Sequence, residues 1–278
     1  MYENVVAMPA TRAFAPVVTA KNEHTIDLIL PCYNPPADWV HKLHQQYHAL
    51  VMELHPVKVQ VIVVNDGSLR NMEAAQLHFL MAAIPGIIIV NNPQNQGKGV
   101  AVRAGLAHAQ HRFQICTDLD IPFGIKSIKA VYEALLRGAD VVAGQRGDAY
   151  VNLLPPQRRI VTRVGRFINR HALGLKIDDA QAGLKGCNSR GKALLEATTI
   201  KGFLYDSEFI YHASSQPDIT TVPIPVTCRP EIVFSSFGVK VLAREFFNYL
   251  KLVLTSQRPL QRLTVIPVTH KIPEHVGE

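Results

Sequence analysis

No apolar run in this 278-residue chain approaches the roughly 20 residues that span a bilayer, so a membrane-crossing helix is not expected. Met1 to Ala20 has no basic start followed by an apolar core, which argues against a secretory leader; Pro9 and Pro16 there favour a loose arm. Cysteine is scarce. Cys32, Cys116, Cys187 and Cys228 lie far apart, which excludes paired zinc-ligand spacing and fits small core residues in a reducing cytoplasm. Aromatic residues make up 7% and are not gathered in a basic patch, and no zinc-finger, RRM or KH pattern occurs, so nucleic acid is not expected as a partner. Charged residues are 18% against 47% apolar, which excludes a disordered chain. Acid is in shorter supply than base, giving a net charge of +7, and such a balance suits anionic partners such as nucleotide phosphates or acidic lipid headgroups. Neither a Walker loop nor the Rossmann glycine fingerprint is present.

What is present begins with alternation. Strand-like Thr25–Leu30, Val57–Val64, Gly86–Val90, Phe113–Thr117 and Ala139–Ala143 alternate with helical spacing over Trp39–Leu54, Asn71–Ala83, Val100–Gln110 and Ile125–Arg137. Short β-α-β connections predict an α/β fold with a mostly parallel sheet flanked by helices, whose ligands bind at the carboxyl ends of the strands. Polar residues fall at those ends: Tyr33-Asn34, Asn65-Asp66-Gly67-Ser68, Asn91-Asn92 and Asp118-Leu119-Asp120. In Asp118-Leu119-Asp120 the two acids share one side of an extended chain, as residues two apart must. Two hard oxygen donors at a strand end suit Mg²⁺ or Mn²⁺ and, through it, a diphosphate; a solvated turn is the alternative.

The second half is less regular. Leu154–Arg159 reads as a proline-marked basic joint, Ile160–Leu173 as an amphipathic helix carrying Arg163, Arg166 and Arg170, and Tyr205–Ser214 as a helix with acids at its start. Thr220–Thr227 reads as a strand that Pro223 and Pro225 confine to a sheet edge. Phe237–Thr255 reads as a last helix, apolar on one side and basic on the other, which either packs at the domain edge or rests on a membrane. His44 and His48 have the i,i+4 spacing of zinc ligands but read as a solvated helix face.

Six motifs then occur in order: Pro31-Cys-Tyr-Asn34, Val64-Asn-Asp-Gly-Ser68, Asn95-Gln-Gly-Lys-Gly99, Asp118-Leu-Asp120, Asp179-Ala-Gln-Ala-Gly-Leu-Lys185 and Tyr205-Asp-Ser-Glu208. Together they resemble the inverting glycosyltransferases of family 2, with the GT-A fold, and most closely the polyprenyl-phosphate (dolichyl-phosphate) sugar synthases. The resemblance covers roughly Thr25 to Leu254. Two departures stand out. Ile121-Pro122-Phe123 replaces a glutamine that often follows the paired acids, and Leu184 replaces the usual aromatic.

The resemblance implies roles by position. Pro31, Tyr33, Asn34 and Asp66 would hold the nucleotide base, with Asp66-Gly67 as a plain turn the alternative. Gly97 and Lys98 would approach the phosphates, or simply start a helix. Asp118 and Asp120 would hold the metal, with Asp118 also on the ribose–diphosphate, and Gln181 and Lys185 would complete the donor site. Asp206, with Glu208 beside it, would be a general base, or else a helix cap with a dipole partner. Arg146 and Arg159, with Arg158 and Arg163 nearby, would meet an acceptor phosphate or the leaving diphosphate. The implied reaction moves a sugar from a nucleoside-diphosphate sugar of the UDP-glucose or GDP-mannose type to a lipid phosphate or cell-envelope glycan, with inversion and with Mg²⁺ or Mn²⁺. A sugar-phosphate nucleotidyltransferase and a non-catalytic nucleotide-sugar binding module are the alternatives. The expected organisation is a flexible arm over 1–24, one domain over 25–255 with nucleotide-binding (25–145) and acceptor (146–255) halves, and a tail over 256–278. The expected setting is cytoplasmic, with peripheral membrane contact through 237–254.

Overall fold

A computed structural model describes residues 25–175, 177, 179–230 and 239–256. The expected arm, nearly all of the tail and the start of the last helix at Phe237 lie outside the described residues. The strands are β1 (Thr25–Cys32), β2 (Lys58–Asp66), β3 (Ile88–Asn92), β4 (Phe113–Cys116), β5 (Val141–Arg146), β6 (Lys185–Cys187) and β7 (Thr221–Val226). They form one sheet in the order β3-β2-β1-β4-β6-β5-β7, with β6 antiparallel to both of its neighbours and the other pairs parallel.

Central strands buried on both faces read as unbroken apolar runs. In β1, Leu28 and Leu30 face one core while Ile29 faces the other; in β2, Val61 and Val63 oppose Ile62 and Val64 in the same way. The first core is closed by α1 (Trp39–Leu54), α2 (Ala74–Ala83) and α4 (Gly124–Leu136). The second is closed by α3 (Lys98–Leu106), α7 (Ser189–Glu196), α8 (Tyr205–Ser214) and α9 (Val239–Ser256). Two further helices, α5 (Asp148–Leu153) and α6 (Pro156–His171), follow β5.

Several strands run further than their apolar residues predict. β2 takes in Asn65 and Asp66, which pair in register with Asn91 and Asn92 of β3. Side-chain bonds carry that extension: Asn65 Nδ2 donates to Asn91 Oδ1 at 3.0 Å and Asn92 Nδ2 to Asp66 Oδ1 at 2.8 Å. Asp66 is therefore a strand residue, and the turn begins at Gly67, whose φ is +69°. The α6 helix starts at Pro156, a favoured first-turn position, four residues before Ile160. The sequence reading left out α5, α7 and the full reach of β5, although Asn188 caps α7 through Arg190 N and Gly191 N. Among the described residues β7 pairs only with β5 and lies at the sheet edge, where its prolines need no partner.

Candidate active site

The carboxyl ends of β1, β2, β3 and β4 open on one side of the sheet, and the amino end of the reversed strand β6 joins them there, with Lys185 in register with Cys116. The loops above β1 and β2 are laced together. Asn34 N donates to Ser68 Oγ at 2.9 Å and Leu69 N to Asn34 Oδ1 at 2.8 Å. Pro31 is the second-last residue of β1, and Tyr33 stands half exposed beyond the strand's end, free to stack on a flat ligand. Asp66 is almost fully buried. It accepts from Asn92 Nδ2, from Gln96 N at 3.1 Å and from Gly97 N at 2.8 Å, so both oxygens fasten the loop that leads into α3.

Gly97 and Gly99 answer to backbone rather than to ligand. Gly97 has φ +102°, and a Cβ there would lie 2.5 Å from Lys201 O; one on Gly99 would lie 2.4 Å from Ile200 O. Gly99 N donates to Lys201 O at 2.8 Å. This close approach of two loops sets the start of α3 and aims Lys98, its first residue, at Asp118, with Nζ 2.6 Å from Oδ1. Burial works against the Lys98 charge, but Asp118 and Asp206 outweigh it and hold the ammonium above the ordinary lysine range.

Beyond β4, Ile121 N donates to Asp118 O at 2.9 Å and closes a turn over Asp118–Ile121. Ile121 is buried with φ +44°, a strained conformation for a β-branched residue, and strain of this kind gathers at functional turns. Asp120 is exposed, and its carbonyl accepts from Gln46 Nε2 at 3.0 Å and Arg229 Nη2 at 2.6 Å. Its carboxyl is pushed above the usual range, first by reduced hydration in the crevice and then by the Asp118 charge, with Arg229 and Lys98 pulling the other way. Two carboxylates close enough for the Asp118 charge to act on Asp120 fit a divalent cation in charge and in donor type. Among the described residues no third His, Cys, Asp or Glu joins them, so further ligands would come from a bound diphosphate or from water.

Behind this pair, Lys185 and Asp206 are both buried, with Nζ 3.2 Å from Oδ1, and Lys185 also donates to Ala182 O. Burial, with Lys98 adding to it, lowers the Lys185 ammonium below the ordinary range, while Asp206 resists. Asp206 lies in the first turn of α8, but the N-cap is Leu204 and no side chain caps the helix, so the cap alternative is not what the chain adopts. Glu208 accepts from Thr199 N at 2.9 Å, Thr199 Oγ1 at 2.8 Å and Ile200 N at 2.8 Å. It holds the very turn on which Gly99 rests, and its oxygens are occupied there rather than turned to a substrate.

Arg146 is likewise committed. Its Nε and Nη2 fork onto Asp179 at 2.6 Å each, and Nη1 donates to Tyr150 Oη at 2.8 Å. Arg159 Nη2 donates to Leu154 O at 3.3 Å at the start of α6, and Gln181 lies beside Gly165 of α6. The structure thus gathers Lys98, Asp118, Asp120, Lys185 and Asp206, with Pro31, Tyr33, Asn34, Asp66 and Gly97 along the same rim. It sets Arg146, Arg159, Gln181 and Glu208 into supporting contacts. Sequence reasoning missed Arg229, which carries no motif, and gave Asp179 no role although it opens a motif.

The profile described as glycosyl transferase family 2 matches residues 27–190. Among curated relatives, a bactoprenol glucosyl transferase of Shigella phage SfV is 33% identical over 96 residues, 34% of this chain and 31% of the relative. A dolichyl-phosphate beta-glucosyltransferase of Trichomonas vaginalis is 30% identical over 177 residues, 59% of this chain and 52% of the relative. The chain thus spans about a third to a half of the length of these relatives. Among solved structures, glucosyl-3-phosphoglycerate synthase from Mycobacterium tuberculosis, in complex with UDP, superposes with TM-score 0.59 at 17% identity, covering 84% of this chain and 80% of that one. Mannosyl-3-phosphoglycerate synthase from Rubrobacter xylanophilus matches with the same TM-score at 16% identity, covering 87% and 78%. The fold is GT-A, the chain is similar to bactoprenol and dolichyl-phosphate glucosyltransferases over part of their length, and it belongs to glycosyl transferase family 2.

Proposed function

We propose that this glycosyltransferase moves a hexose from a nucleoside-diphosphate sugar to a lipid-linked phosphate, with inversion at the anomeric carbon. One observation carries the donor half: four parallel strand ends and the reversed strand β6 bring Lys98, Asp118, Asp120 and Lys185 to one crevice, beside the exposed ring of Tyr33. Tyr33 would stack on the base, and Lys98 would meet the diphosphate. Asp118 and Asp120 would hold a divalent ion, as their charge and oxygen donors allow. When bound, that ion would offset the charge that grows on the departing diphosphate. The solved glucosyl-3-phosphoglycerate synthase complex with Mn²⁺ and UDP-glucose supports this choice of ligands.

The acceptor half rests on chemistry and on the names of the curated relatives. A phosphate acceptor is already anionic and needs no base, which agrees with an Asp206 buried against Lys185 rather than open to solvent. It needs cations instead. Arg163, Arg166, Arg170 and His171 of α6 line a cavity of about 380 Å³ together with Val151, Phe167 and Asp148, whose carboxylate pairs with Arg166 at 3.0 Å, and the remaining cations and apolar groups suit a phosphate that carries an apolar tail.

The test is turnover. The full chain is incubated with UDP-glucose, GDP-mannose and related donors, Mn²⁺ or Mg²⁺, and a polyprenyl phosphate in detergent; mass spectrometry and NMR of the anomeric proton follow. Expected is a lipid-phosphate-linked sugar of inverted configuration. Transfer to soluble sugars alone would remove the lipid acceptor, and no transfer from any donor would remove the proposal.

A further inference from the structure

Asp118 already has a cation. Lys98 Nζ lies 2.6 Å from its Oδ1, with only 13% of the lysine side chain exposed. The other oxygen lies against Gly183, where a Cβ would stand 2.6 Å from Asp118 Oδ2 and 3.2 Å from Lys98 Nζ, while the Asp118 side chain as a whole stays 42% exposed. Residue 183 has no side chain where the ion pair fills the space. A metal held by Asp118 would compete with Lys98 for the carboxylate's charge and for Oδ1.

We infer that Lys98 is the resident counter-ion of the metal site, neutralising Asp118 in the free protein and releasing it only when a divalent ion arrives together with a nucleoside diphosphate. The inference rests on the reading of Asp118 and Asp120 as metal ligands and goes further, to the order and coupling of binding. Three carboxylates, Asp118, Asp120 and Asp206, act electrostatically on three cations, Lys98, Lys185 and Arg229, and Asp179, which also acts on Lys185, is matched by its own partner Arg146. The cluster is formally neutral. A divalent ion alone would bring two positive charges into it, and a nucleoside-diphosphate sugar alone two negative ones; together they bring none. In a partly dehydrated crevice, uncompensated charge is far more unfavourable than in water, so each ligand favours the other. Such coupling is reciprocal.

Lys98 is the member able to move. Lys185 is buried between Asp206 and Ala182 O, and Arg229 is held on the Asp120 carbonyl. Lys98 sits at the first residue of α3 on a long flexible side chain, so its ammonium can turn from Asp118 to diphosphate oxygens without moving the helix.

The experiment measures Mn²⁺ binding to the full chain by the loss of the free-ion EPR signal, and UDP and GDP binding in a metal chelator by calorimetry. Lys98→Met is compared with wild type, and Lys98→Gln serves as a second variant should the first fold poorly. Lys129→Met removes the same charge from a solvent-facing pair with Glu53. Without nucleotide, both Lys98 variants should bind Mn²⁺ about tenfold more tightly than wild type or more, a change of about 1.4 kcal/mol. Without metal they should bind UDP or GDP more weakly by a similar factor, and Lys129→Met should change neither. Unchanged nucleotide-free Mn²⁺ affinity in the Lys98 variants, with nucleotide still recruiting Mn²⁺ to every protein, would overturn the inference and leave the metal site standing. No binding by wild type beyond what the nucleotide itself chelates would remove the metal reading, and this inference with it.

Discussion

Asp179 is 3% exposed yet accepts four bonds or close charges: both arms of the Arg146 fork, Arg146 N at 2.9 Å, and Arg166 Nη2 at 3.7 Å. Burial alone would raise its carboxyl, but the Arg146 fork and amide more than offset that and hold it below the usual aspartate range. A folded pKa below the unfolded one gives stability that is present at neutral pH and is lost as pH falls through the depressed value, below about pH 4. Asp179→Asn keeps the size and removes the charge, leaving a mostly buried guanidinium without its partner. Denaturant unfolding at pH 7 should show a loss of about 3–5 kcal/mol, most of it recovered when Arg146→Met and Asp179→Leu are combined. A single variant within about 1 kcal/mol of wild type would show that the fork does not organise this part of the site. The fork also explains why Arg146 is a poor phosphate ligand, since three of its five N–H donors are bound within the protein.

The junction between α3 and the 200–202 loop makes a second test, at the level of elements. Gly97→Ala places a methyl group 2.5 Å from Lys201 O on a backbone with φ +102°. Gly138 has nearly the same φ, +98°, but nothing within 4 Å of the added carbon. Both alanines carry the conformational penalty, of about 1 kcal/mol, and only Gly97→Ala adds the collision, about 1–3 kcal/mol more. Thermal unfolding of the two should therefore differ, and Gly97→Ala should also weaken nucleotide binding by displacing Lys98. Equal destabilisation would mean that the two loops do not press on one another. The same junction shows what the sequence could and could not disclose. The βα alternation and the polar strand ends were legible because periodicity and turn residues are local signals. The reason for Gly97 and Gly99 was not, since their constraint is a carbonyl about a hundred residues away. Glu208 was read as chemistry for a like reason: an acid in a first turn looks the same whether it faces a substrate or the amides of Thr199 and Ile200. β6 has only three residues and owes its strand to neighbours on both sides rather than to its own pattern.

Across the whole molecule, the apolar surface left in water is unevenly spread. On α6, Ile160, Val164 and Phe167 recur at helical spacing and are half or more exposed, with Arg163 and Arg170 adjoining them. On α9, Tyr249 and Leu252 turn inward while Phe246, Phe247, Leu250 and Leu254 turn out, the two phenylalanines 62% and 66% exposed. The helices touch, since a Cβ on Gly165 of α6 would meet Tyr249 Oη at 3.1 Å. Among the described residues no helix is long and apolar enough to cross a membrane. If the acceptor is a lipid as proposed, the exposed apolar faces of α6, with its arginines, and α9, with Lys251, would suit an anionic bilayer, where apolar burial and charge attraction add. Sedimentation with anionic vesicles should show binding that weakens, without vanishing, as salt rises above about 0.15 M, because only the charge contribution is screened. Phe246→Ser with Phe247→Ser should lower that binding about tenfold or more, since each change withdraws a ring's worth of apolar area from the lipid. Folding stability should move by no more than about 0.5 kcal/mol per site, as the rings already face water. Vesicle binding that survives the double substitution and disappears with salt would make the contact purely electrostatic and leave the exposed phenylalanines without this role.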